Sequence, residues 1–132
     1  MGSSQPVMAL DDRAMWESIA AGRLSLQRCS HCEAFRYPPG PICASCLSME
    51  SDWVPVSGAG VILSWVVFHK KYFDDFPPPY NSVAVRLDEG PIIMSNLIGP
   101  EPEGSWIGRR VRLAYVDHAD RRQHAVAIDD GV

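Results

Sequence analysis

Outside residues 29–46 the chain has no cysteine at all. It has no apolar run approaching the ~20 residues needed to cross a bilayer as a helix, which excludes a membrane-spanning helix. It has no excess of positive charge. The formal net charge is −4, which argues against general affinity for nucleic acid or for anionic lipid. Met1 to Met8 lack the basic and apolar regions of a secretory leader, so the expected compartment is the cytoplasm. Lysine is scarce, with ten of the twelve basic residues being arginine. No nucleophile elbow, metal-plus-base set or phosphate loop occurs. These absences leave little with which to build an active site.

What is present begins with the four cysteines. Cys29, Cys32, Cys43 and Cys46 are spaced C-x2-C-x10-C-x2-C. Two facing C-x-x-C knuckles supply the four soft ligands of a closed tetrahedral site, so one structural Zn2+ is expected. Iron held as in rubredoxin would use the same ligands. Two disulfides would need an oxidising compartment. Because the site uses every thiol, none remains for catalysis. His31 lies inside the first knuckle and is expected at the surface, since four thiolates already complete the sphere.

At 132 residues, 46% hydrophobic and 21% charged, the chain is long enough for a core without disulfides. Residues 11–22 predict a short helix, started by Asp11 and Asp12 and stopped by Gly22. Met15, Trp16, Ile19 and Ala20 form its narrow apolar stripe. Leu24 to Arg28 and Phe35 to Tyr37 alternate like the two strands of a ribbon, the second stopped by Pro38, Pro39 and Pro41. A ribbon this small buries little core, so metal must supply its stability. From Asp52 onward the period is two. Strands are predicted around Val61–Lys70, Val83–Leu87, Ile92–Ile98, Val111–Tyr115 and His124–Ile128. Asp88-Glu89-Gly90 forms a hairpin turn. Five strands without a second helix predict a small closed barrel. The expected divisions are a tail and helix over 1–23, a ribbon over 24–51 and a barrel over 52–132.

Between two barrel strands, Tyr72, Phe73, Phe76 and Tyr80 surround Pro77, Pro78 and Pro79. Stiff aromatic loops make interface anchors, but the same rings could fold back as a plug for the barrel mouth. Both readings stay open here. Trp16 could likewise pack on its own domain or on a partner.

The order of these elements is similar to that of the DUF35 family. The residues that carry the resemblance are Trp16-Glu17, Leu24 to Cys29, Tyr37-Pro38-Pro39 and Ser57-Gly58-Ala59-Gly60. Leu87 to Gly90 and Ser95 to Gly99 match as well. The resemblance spans residues 11 to about 128. It implies a mainly β chain made of an N-terminal helix, a rubredoxin-like zinc ribbon and a five-stranded OB-fold barrel. It also implies a non-catalytic accessory subunit of a thiolase-fold, acyl-CoA-dependent enzyme (a thiolase, aldolase or acyltransferase). Such a subunit stabilises its partner and helps shape the acyl-CoA site. Partner contacts are then expected at Trp16, Tyr72, Phe73, Phe76 and Tyr80, and CoA phosphate contacts at Arg109, Arg110 and Arg112. The sequence departs from the family where glycine usually follows each knuckle. Glu33 and Leu47 stand there instead.

Two other functions are weighed. A single-stranded nucleic-acid binder needs a basic groove with stacking aromatics. Across 52–132, however, acidic residues outnumber basic ones. An independent enzyme would draw on His69, His118 or His124 with Asp117 or Asp120. None of these is paired with a nucleophile, and His124 is expected to be a satisfied core histidine.

Overall fold

The computed structural model describes residues 11–72, 74, 77–118 and 121–129, and for His118 the backbone only. Phe73, Phe76, Asp120 and the side chain of His118 therefore lie outside the described residues.

Helix α1 covers Arg13–Ala20. Met15 and Ile19, four apart, are buried, while Trp16 packs half-buried against the same core. Eight residues do not hold a helix in isolation. Burying two such side chains, at about 1.5–3 kcal/mol each, docks this one. Its end is a Schellman motif: Gly22 takes φ +78° and donates to Ile19 O (2.9 Å), and Arg23 N–H donates to Ser18 O (3.0 Å). The N-terminal expectation was too generous. Asp12 occupies the cap position in a helical conformation, and its side chain makes no capping bond.

The remainder is two antiparallel sheets. β1 (Ser25–Cys29), β2 (Phe35–Arg36) and β3 (Ser51–Pro55) form the first, in the order β2-β1-β3. β3 straddles the expected division at 51/52, yet it pairs along all of β1, from Ser25↔Pro55 to Cys29↔Ser51. The second sheet contains β4 (Ala59–Phe68), β5 (Tyr80–Leu87), β6 (Ile92–Ser95), β7 (Arg110–His118) and β8 (Arg121–Ile128). Its order is β6-β5-β4-β7-β8. It curls until its ends meet. Leu97 bridges Val126 in parallel, with Ile98 N–H on Val126 O (2.8 Å) and Val126 N–H on Asn96 O (2.9 Å). The expected five-stranded OB barrel is thus present, closed along this seam by a few bonds.

Two local devices shape the barrel. Gly60 sits where β4 presses on β5, and a Cβ there would lie 2.6 Å from Arg86 O and 2.8 Å from Val85 Cγ1. A bulge between Ile62 and Ser64 then inserts one extra residue. Before it Ile62 points inward, and after it Trp65 and Val67 do. The core is continuous across the sheets. Met15, Ile19, Leu24 and Leu26 pack in one cluster with Ile62, Val83, Val85, Leu87, Ile93, Val111 and Val126. The ribbon's base therefore shares the barrel's core, where the sequence suggested it would bury little. Tyr115 Oη accepts from Leu24 N–H, and Arg122 Nη1 donates to Ala20 O (3.2 Å). Among the described residues, no helix is long and apolar enough to cross a membrane.

Candidate metal centre and candidate contact surfaces

β1 ends at Cys29, where the first knuckle begins. Glu33 N–H donates to Cys29 O (2.9 Å), and Leu47 N–H donates to Cys43 O (2.9 Å), so the two knuckles have the same turn. Each turn needs a left-handed residue at its end. Glu33 has φ 67° and Leu47 φ 66°. The family's usual glycine is thus replaced without changing the turn, at a strain of roughly 1 kcal/mol or more per residue. His31 is exposed, as expected.

The four Sγ atoms all lie within 4.8 Å of one another. Cys29 and Cys46 are 3.5 Å apart, and Cys32 and Cys43 are 3.6 Å apart. A tetrahedron with Zn–S bonds of about 2.3 Å has S···S edges of about 3.8 Å, so the cluster fits a tetrahedral ion with little adjustment. The local field favours thiolates unequally. Cys32 N–H, joined by His31 N–H (each 3.4 Å from Cys29 Sγ), lowers the Cys29 thiol to about 6. Cys43 is lowered by the N–H groups of Cys46 and Ser45. Against the pull of Ser48 N–H, partial burial and the other three sulfurs push the Cys46 thiol up to about 12. Four sulfurs without a cation thus resist full ionisation, and a divalent ion removes that conflict. Such an ion would hold the ribbon together. Four protein ligands leave it no open position for substrate.

The structure separates the aromatic residues expected to meet a partner. β4 and β7 start opposite each other (Ala59↔Arg112, Val61↔Arg110) and then run in opposite directions. At about 3.3 Å per residue, roughly 45 Å of strand separates Phe68 from the β7–β8 hairpin. Trp16 sits on α1 beside that hairpin, while Tyr72 and Tyr80 lie at the other end. Trp16 is half-buried, with Nε1 buried and lacking an acceptor among the described residues. It also lines a groove of about 360 Å3 with Arg13, Glu17 and Ala20. Tyr72 is 45% exposed. It meets Phe68 edge-on (5.8 Å) and receives Lys70 over its face (5.7 Å). Tyr80 stacks on Phe68 at 5.0 Å. The ring that fills the core is Trp106, which the sequence did not single out. It is buried, stacks on Trp65 (5.4 Å) and donates from Nε1 to Pro102 O (3.0 Å).

Arg110, Arg112 and Arg122 are each paired with a carboxylate. Arg110 forms a two-pronged pair with Asp88 (3.1 and 3.2 Å), which lowers the Asp88 carboxyl through that bond. Arg112 pairs with Asp129 at 3.0 Å and Arg122 with Asp117 at 3.2 Å. Arg109 is half-buried, and its carbonyl accepts from Ile62 N–H (3.0 Å). A phosphate meeting Arg110 or Arg112 would have to displace a carboxylate. Of the histidines, His69 is exposed, and His124 Nδ1 lies 2.8 Å from Ser95 Oγ with burial lowering its basicity.

Known proteins resemble this chain over nearly its full length. Residues 16–50 match the family described as the ChsH2 rubredoxin-like zinc ribbon domain, and residues 53–116 match the ChsH2 C-terminal OB-fold domain. A probable enoyl-CoA hydratase alpha subunit from Thermomonospora curvata is 37% identical over 80% of this chain and 34% of its own length. The 3-oxo-4,17-pregnadiene-20-carboxyl-CoA hydratase alpha subunit of Mycobacterium tuberculosis is 29% identical over 96% of this chain and 40% of its own length. The chain thus spans between a third and two-fifths of these curated relatives. A solved chain of an Ltp2-ChsH2(DUF35) aldolase superposes with a TM-score of 0.86 at 31% identity, covering 94% of this chain and 98% of that one.

Proposed function

This chain belongs to the DUF35 family, its ribbon and barrel both of ChsH2 type, and from that premise we propose that it is a non-catalytic accessory subunit of an acyl-CoA-dependent enzyme with the thiolase fold. The observation that carries the reading is the likeness, over almost the whole of both chains, to the DUF35 chain of an aldolase complex. The names of the relatives supply the substrate class, since both are named as alpha subunits of CoA-thioester hydratases. The closed four-thiol site supports a structural role for the ion. The exposed Tyr72 supports a contact at the loop end of the barrel.

The test is recovery of the tagged chain from its native host, followed by separate production of whatever co-purifies. The expected result is a stoichiometric complex with a thiolase-fold enzyme whose acyl-CoA turnover is lost when this chain is left out. Turnover of acyl-CoA esters by the pure chain would overturn the reading. Sub-micromolar affinity for single-stranded DNA or RNA at about physiological salt would favour a nucleic-acid binder instead.

A further inference from the structure

The second knuckle carries three large apolar side chains that contribute nothing to this chain's own core. Ile42 is 50% exposed, Leu47 74% and Met49 72%. Cys43 N–H donates to Ser48 O (2.9 Å), which closes the turn that Ile42 and Met49 flank. Leu47 caps the same turn. From Tyr37 to Met49 there is no acidic or basic side chain apart from the metal thiols. The first knuckle is different. It carries His31 and Glu33, with Glu33 paired to Arg28 at 3.1 Å.

The tip also stands away from the barrel. From Leu26, which lies in the shared core, β1 runs to Cys29 at the metal site, about 10 Å of strand. Leu47 adds a second, independent observation. It occupies a left-handed backbone position that glycine fills without strain, yet its side chain meets solvent. Glu33 holds the equivalent position in the first knuckle, so what sets Leu47 apart is a large apolar side chain, rather than a charged one, presented to solvent there.

We propose that the apolar tip of the second knuckle, formed by Ile42, Leu47 and Met49, is the anchor by which this chain enters an uncharged recess on its enzyme partner. This rests on the accessory-subunit reading and names the element that docks. Size favours an enzyme over a second copy. Three side chains fall well short of the ~800 Å2 per partner of a stable interface, so a two-fold contact of tip on tip would be too small. As an anchor inside a larger interface, three clustered apolar side chains are sufficient. The missing charge specifies a partner surface that is equally uncharged.

The experiment uses the full chain and the thiolase-fold enzyme recovered with it, produced separately, with affinity measured by calorimetry. Leu47→Gly should raise the chain's denaturation midpoint and weaken the complex at least tenfold. Met49→Asp should weaken it about a hundredfold while zinc stays at one equivalent. Binding by both variants within twofold of the unaltered chain would overturn the anchor and leave the accessory role standing. An unaltered chain that brings down no such enzyme would overturn both. A dimer of the unaltered chain that Met49→Asp dissociates would assign the tip to a second copy and overturn the proposal.

Discussion

Single side chains in this protein hold positions whose cost can be measured. Glu33 sits at φ 67° with its side chain largely in solvent, so Glu33→Gly removes strain and loses only the exposed pair with Arg28. Stability should rise by about 0.5–1 kcal/mol, read as a higher urea midpoint at unchanged zinc content. His124 gives a pH signature. Burial lowers its folded-state pKa below the ordinary 6.5, so the unfolded chain takes up the proton first. The stability present above pH 6.5 is therefore lost as pH falls through 6.5 toward the folded value. Melting temperatures from pH 8 to 5 should fall less steeply for His124→Gln than for the unaltered chain. Acid release of the metal is common to both proteins and cancels in the difference.

Among the elements, β4 is the most constrained. Gly60→Ala would push a Cβ against the Arg86 carbonyl, which is backbone and cannot rotate away. A loss of about 3 kcal/mol is expected in denaturant unfolding, with Gly58→Ala strained instead by its φ of +90°. β4 also marks the limit of what the sequence makes legible. The turns were readable, because Gly22 and Gly90 both take the positive φ expected of them. The knuckles were readable from cysteine spacing alone. The bulge was not, since Val-Ile-Leu-Ser-Trp-Val-Val-Phe is apolar on both faces and carries no phase that a shift of one residue would disturb. Trp106 was missed for a related reason. It lies among Gly99, Pro100, Pro102, Gly104 and Gly108, which read as loop, and nothing in that stretch signals that its ring stacks on Trp65.

At the scale of the whole molecule, the shared core decides how the protein should fail. Leu24, just before β1, and Leu26 within it lie in one cluster with the barrel residues, and β3 joins β1 immediately before the barrel chain begins. Removing the metal should therefore lower a single melting transition rather than split it in two. Calorimetry before and after treatment with a strong chelator checks this, and a separate low-temperature transition confined to the ribbon would contradict it. Cys43→Ser should reproduce the single lowered transition. The distance in sequence between contacting elements has a further consequence, for synthesis. α1 leaves the ribosome well before its partners do: Ala20 waits for Arg122, 102 residues on, and Leu24 for Tyr115, 91 residues on. The ribbon can capture its ion once residue 46 has emerged. The apolar face of the helix can meet Leu24 and Leu26 early, but it lacks Val111 and Val126 of its cluster until β7 and β8 are made. The nascent chain thus passes through a metal-loaded stage with an incomplete core, and slowing translation through β7 and β8 should expose it to proteolysis there.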